Sequence, residues 1–405
     1  MSFIHVALLL VAAAPERLDL TGRVTTAVAT SVKGANVMIY TARVRKGTNA
    51  LCPSCYADCS KKAETDQDGS FKIAALDPAL LFRVLVVAEG FRAAFAENVD
   101  PGARPIMVTL EPFDPSKLEV NRLLRGIVLD PDARPVAGAI VTPQMFKTEE
   151  WSGFKPGVFD PLAVTNLRGE FVLTARSPIE EASLKIEARG LAPRIFADRR
   201  PRPGPQKLAL TTGATVTGRL LKAGRPVADA LMGLVQADRS SGGFLGALEI
   251  GTDEEGRFTF LNVAANDDYY VYGLMPSIKD RGALPVKPVR VSADGTTTNV
   301  GELALVPGHT ISGQVILSDG KAIPPDTRLL VARENAWDTQ AVVLDAEGKF
   351  EVHGLPTERY SLSIGLKGYH FSTKNHSIEQ INRRLVGTID QDIAGLKILL
   401  EPGGG

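Results

Sequence analysis

The chain is 405 residues long and carries 46 lysines and arginines against 46 aspartates and glutamates. With charge so balanced, no global field draws it to nucleic acid or to an anionic membrane. The Gly-x-Ser-x-Gly elbow, the phosphate-binding loop and the His-Glu-x-x-His motif are all absent from it, which removes the usual sequence signatures of hydrolases, nucleotide enzymes and zinc peptidases.

The first predicted element is an apolar stretch from Ile4 to Ala14 that ends in small residues and is too short to cross a bilayer as a helix. It reads as a signal peptide over residues 1–14, although no Lys or Arg precedes it and Pro15 follows directly. The expected product is an extracytoplasmic protein, periplasmic or secreted, with no integral membrane segment in the mature chain.

Beyond it, two short signatures recur four times in the same order. The first is apolar-x-Gly-x-apolar, centred on Gly22, Gly126, Gly218 and Gly313, which stand 104, 92 and 95 residues apart. The second is a turn ending in an aromatic: Asp66 to Phe71, Asn166 to Phe171, Asp253 to Phe258 and Asp345 to Phe350. Solenoids and propellers repeat at about 20 to 50 residues, whereas roughly 100 residues suffice for a sandwich with its own core. Within each unit, runs such as Val37 to Tyr40, Phe82 to Val87, Leu184 to Ala188 and Tyr360 to Ile364 are short, β-branched or aromatic, and mostly alternating, as half-buried strands are. Glycine before the aromatic suits a tight turn that needs positive φ. The chain is therefore expected to be all-β, with four tandem antiparallel β-sandwich domains arranged as beads on a string: 18–113, 120–212, 213–307 and 308–403.

The second unit runs Gly126-Ile127-Val128, then Pro135-Val136-Ala137-Gly138-Ala139-Ile140-Val141, then Thr165 to Phe171. This pattern resembles the carboxypeptidase regulatory-like domain family, a transthyretin-like β-sandwich. The third unit matches with Pro226-Val227-Ala228 and Thr252 to Phe258 but has Asp229 where the family has Gly. The fourth keeps Gly354-Leu355-Pro356 and Tyr360, with Glu358 in place of the turn Gly and Pro324-Pro325 in place of Pro-Val. The resemblance implies a scaffold and binding module without catalytic residues of its own.

All three cysteines, Cys52, Cys55 and Cys59, fall within eight residues of the first unit. A loop disulfide with one thiol left over is the favoured reading in an oxidising compartment. Zinc held by the three thiolates is the alternative, though it lacks a local fourth ligand beyond Asp58, and redox chemistry is a third. Asp66-x-Asp68-Gly69 starts like a calcium loop, but Ala75 stands where the closing Glu belongs, so a hairpin turn is expected. His353, His370 and His376 match no ligand pair on a helix. Sugar binding would want an aromatic platform; Trp151, Phe154 and Phe159 in the long insertion of the second unit are the best such cluster, although core or loop packing is the favoured explanation for these rings.

The functional expectation is a noncatalytic exported protein that binds a glycan or protein partner through its loops. The alternatives are a structural spacer of a cell-envelope assembly and a metal or redox site at the cysteines.

Overall fold

The computed structural model describes residues 16–45, 53–54, 56–59, 61–240, 242–374, 379–381 and 384–403. The apolar stretch of residues 1–14, Cys52, Cys55 and His376 lie outside them.

Each opening strand starts from a simple alternation. In Leu18–Thr26, Leu20, Gly22 and Val24 face inward while Asp19, Thr21 and Arg23 face out, so the strand presents one apolar face to a core. The core of the first sandwich forms between two sheets. One sheet orders Ser70–Leu76, Leu18–Thr26 and Ile106–Leu110; the other orders Lys62–Glu64, Asn36–Val44, Leu80–Val87 and Ala94–Val99. Leu20, Val24, Val37, Ile39, Phe82 and Val84 are buried between them. The pairing of one sheet around the opening strand with a second sheet opposite recurs three more times, each with its own core; the second sheet is the larger except in the third sandwich, where both have four strands. The chain is an all-β array of tandem sandwiches. By contacts it divides into two compact units, the first sandwich and the remaining three together.

The two recurring signatures meet across strands. Gly22 lies opposite Phe71, Gly126 opposite Phe171, Gly218 opposite Phe258 and Gly313 opposite Phe350. A Cβ on Gly126 would stand 2.5 Å from the Phe171 ring, and one on Gly218 equally close to the Phe258 ring. The glycine is therefore the seat on which the aromatic lies, much as an aromatic covers a strand glycine in built sheets. In the fourth sandwich the same position is closed by the Leu396 carbonyl of the neighbouring strand instead.

The turn before each Phe is built alike. The Asp66 carboxylate accepts the N–H groups of Asp68 and Ser70, both at 2.9 Å, and Asn166 and Asp345 do the same in their own turns. These side chains satisfy backbone donors, as Asx turns do, and this accounts for Asp66 without calcium. Behind each of the first three turns a buried threonine ties two strands. Thr165 Oγ1 accepts the Ala139 N–H at 2.8 Å and donates to the Val136 carbonyl at 2.6 Å; Thr65 and Thr252 repeat both bonds. In the fourth sandwich Leu344 occupies the threonine position, and Thr327, on the facing strand, donates to Pro324 at 2.7 Å. The hydroxyl has changed strands while the carbonyl it serves has kept its place.

The antiparallel expectation needs one addition. The closing strand of every sandwich runs parallel to the opening strand. It returns from the opposite sheet by a crossover, and a crossover, unlike a tight hairpin, permits parallel pairing.

Gly126→Ala should destabilise the chain by about 1–3 kcal/mol through overpacking, and Phe171→Leu in the same background should recover part of that loss. Denaturant titration of the two single variants and the double variant checks this. Additive losses would mean that the pair does not act as a unit.

Candidate functional site

The cysteine loop is held down by a buried carboxylate. The Asp58 side chain is 2% exposed, ion-paired to Arg17 and, at 2.8 Å, to Lys61, and it accepts the Asp77 N–H at 2.8 Å. Burial pushes its pKa up, but the Lys61 and Asp77 hydrogen bonds and the Arg17 charge outweigh that and hold it below the ordinary carboxylate range. Asp58 is thus engaged by two cations. Cys59 has a free, half-buried thiol that packs against the first core and donates to the Pro53 carbonyl at 3.4 Å. Burial pushes this thiol up, away from the thiolate that metal binding or exchange needs. Among the described residues no three His, Cys, Asp or Glu side chains gather in a way that could hold a metal ion.

In the second sandwich the three aromatic candidates part company. Phe159 is 8% exposed and belongs to the core, where its ring meets Phe146 at 5.3 Å. Trp151 also packs on Phe146, with centroids 5.0 Å apart, and lies over Gly153. Its hairpin is closed by Thr148, whose N–H donates to the Trp151 carbonyl at 2.8 Å. Trp151 keeps 40% of its surface exposed and Phe154 58%, so two rings rather than three face solvent.

A buried polar cluster was missed by sequence reasoning. It lies where the third and fourth sandwiches meet. The Arg333 side chain is fully buried and forms a fork to Glu358, at 2.9 Å from Nε and 2.6 Å from a terminal nitrogen. Its remaining donors reach the carbonyls of Gly273 at 3.1 Å and Leu284 at 3.0 Å, both in the third sandwich. Asp338, also buried, stands 3.6 Å from Arg333 and accepts the Met275 N–H at 2.9 Å. Glu358 accepts the Val286 N–H at 2.6 Å. Met275 itself, on the short helix Met275–Ile278, is buried in the core of the fourth sandwich. Around the rim, Arg239 donates to the carbonyls of Ala336, at 2.8 Å, and Glu334, while Phe244 packs on Trp337 at 4.9 Å. Tyr272, fully buried, donates to the Trp337 carbonyl at 3.3 Å. His353 also crosses this joint, 3.0 Å from Asp280.

One signal in the sequence marked this joint. Glu358 stands where the resembled pattern has a turn glycine, and the structure spends that carboxylate on Arg333. A second departure, Asp229, occupies the left-handed region at φ 53°, which Asp tolerates better than most residues.

No protein-family model matches the chain, and no curated protein is similar to it. Among solved structures, matches of low identity and low structural score are found. A streptococcal ancillary pilin is 12% identical over 70% of this chain and 100% of its own, with TM-score 0.25. The minor pilin of Streptococcus agalactiae is 15% identical over 47% of this chain and 97% of its own, with TM-score 0.24. The major pilin subunit of Bacillus cereus is 10% identical over 72% of this chain and 100% of its own, with TM-score 0.20. No helix among the described residues is long and apolar enough to cross a membrane.

Two carboxylates share one guanidinium in the joint, which leaves a buried excess of negative charge. Burial raises the Asp338 pKa to about 6, with Arg333 and the Met275 N–H opposing the rise and Glu249 adding to it. Folded Asp338 therefore binds its proton more tightly than an unfolded aspartate, which titrates near 3.9. Its contribution to stability is complete below that value and is lost as pH rises through about 6. Between pH 4 and 7 the native chain should lose stability relative to Asp338→Asn, on the order of 1–3 kcal/mol. Denaturant midpoints of both proteins across that range check it, and parallel curves would refute it. Arg333→Met leaves two acids and two carbonyls without their donor and should cost about 3–5 kcal/mol in the same measurement.

Proposed function

We propose that the protein is a noncatalytic exported scaffold built from carboxypeptidase regulatory-like sandwiches, which carries loops to a glycan or protein partner. One observation carries this reading: both recurring signatures are consumed by the fold, as cross-strand partners and backbone-satisfying turns, so what distinguishes the units is their loops. Trp151 and Phe154, the exposed rings of the second sandwich, are the best-placed contact for a sugar face. The spacer reading draws support from the joint, because a buried, fully hydrogen-bonded Arg333 fixes one sandwich against the next where a flexible linker would leave them free. The cysteine loop we read as structural, since its carboxylate is engaged by Arg17 and Lys61 and its described thiol packs against a core. Zinc at Cys52, Cys55 and Cys59 is the competing assignment, and thiol counting with zinc analysis of the purified chain decides between them.

A glycan array with the full chain tests the binding reading. A specific hit should weaken about tenfold or more in Trp151→Ala, as removal of an aromatic anchor does. A hit indifferent to both Trp151→Ala and Phe154→Ala would place the contact elsewhere. Cell fractionation with N-terminal sequencing tests export: the expected product lies outside the cytoplasm and has lost about the first 14 residues. Retention in the cytoplasm with those residues attached would overturn that half of the reading.

A further inference from the structure

In every sandwich the strand on which the chain enters and the strand on which it leaves are hydrogen-bonded neighbours that run parallel. In the first, Gly22 pairs with Ile106 and Thr26 with Leu110. The chain enters at Leu18 and departs at Leu110, level with the far end of the opening strand. In the second, Gly126 pairs with Gln206 and Leu129 with Ala209. In the third the ladder runs from Thr215 opposite Thr297 to Leu221 opposite Ala304. In the fourth it runs from Ile311 opposite Ile393 to Leu317 opposite Leu400.

Parallel neighbours have a mechanical consequence that a hairpin lacks. Tension along the chain enters one end of the ladder and leaves by the other, so the two strands must slide past each other and all their hydrogen bonds share the load. In a terminal hairpin both ends of the load lie together, and the bonds open one after another. Inward-facing residues of these strands, including Leu220, Leu303, Val315 and Ile398, are buried, so sliding also drags apolar side chains out of their packing.

We propose that this chain is a load-bearing element, in which tension applied along its length is carried in shear by the parallel strand pair of each sandwich. The inference goes beyond the scaffold reading, because a load-bearing array need bind no glycan. The ladders are graded. The second is the shortest, since Pro201, Pro203 and Pro205 precede Gln206 and lack the N–H that pairing needs. The third and fourth are longer, and all three are prolonged past their strand ends by one bond, from the Leu210 N–H to the Leu129 carbonyl at 2.9 Å, the Leu305 N–H to the Leu221 carbonyl at 2.8 Å and the Ser318 N–H to the Leu400 carbonyl at 2.9 Å, so the difference lies in the paired residues themselves. The second sandwich therefore yields first.

Single-molecule force spectroscopy on the full chain tests this, with bio-orthogonal handles in place of exposed residues so that the native cysteines stay untouched. Handles at positions 212 and 307 load the third ladder in shear, and handles at 212 and 296 peel the same ladder from one end. The rupture force should be at least about twofold higher in shear, as expected where forced unfolding follows the unfolding barrier along the loaded direction. Equal forces in the two geometries would overturn the proposal. Handles at 117 and 212 load the second sandwich in shear and should rupture below the 212 and 307 pair; a second sandwich as strong as the third would overturn the grading. Either result leaves the glycan and export measurements unaffected, so failure here and failure of the scaffold reading are distinguishable.

Discussion

The contact on which the first three sandwiches depend is a glycine facing an aromatic across two strands. Opening strand and turn strand form the antiparallel half of the small sheet, and their register is set where Gly126 meets Phe171 and where the equivalent pairs meet in the other units. A register slip of one residue would turn every inward side chain of the strand to solvent. It would also drive the ring into a side chain instead of a vacancy. The turn immediately before the Phe fixes the same register from the other end, with Asp66, Asn166 or Asp345 holding two backbone donors. Pair and turn therefore specify one alignment twice, through packing and through backbone geometry, and such agreement between levels gives a sequence a single fold.

The joint between the third and fourth sandwiches follows a different logic. Burying an ion pair seldom stabilises more than apolar packing of the same volume would, because desolvation offsets the Coulomb gain. What the Arg333 cluster supplies is geometry. A planar fork with five donors is met by Glu358 from its own sandwich and by the Gly273 and Leu284 carbonyls from the neighbour. Few relative placements of the two sandwiches can satisfy all of these acceptors together, and each one left unmet in a dry site is costly. The second carboxylate makes the joint conditional, since Asp338 is tolerated most easily with its proton on.

Much of the fold was legible in the chain because its requirements repeat. Glycine, turn and aromatic recur at fixed positions in four units, so their shared physical role stands out from everything that varies. The parallel closing strand was not legible, since alternation such as that of Gln206–Ala209 is the same whichever way the strand runs. Phe159 stood among the candidate rings with packing as the favoured explanation, and the insertion does fold back and bury it beside Phe146, but nothing in its local sequence separates it from Trp151 and Phe154, which stay exposed. Arg333 was harder still. A charged residue in an alternating strand reads as solvent-facing, and only a partner 25 residues away, Glu358, makes its burial affordable. The lone hint was local: a glutamate where the turn pattern wants glycine.

The fourth sandwich shows what this fold constrains and what it leaves free. It gives up the threonine behind the turn, placing Leu344 there, and recovers the hydroxyl from Thr327 on the facing strand. A buried hydroxyl must find a partner, because its desolvation is otherwise unrepaid, but the hydroxyl can stand on either side of the pair. The requirement thus attaches to the hydrogen bond rather than to a position in the sequence, and a pair of changes that keeps the bond is invisible to any pattern that scores residues singly. The same sandwich also closes its glycine position with the Leu396 carbonyl, and it supplies Arg333 and Glu358 to the joint. The unit with these departures from the shared pattern is also the one that supplies the buried side chains of a joint. In a repeat array, departures from the shared pattern mark the places where one domain has been shaped by what it touches.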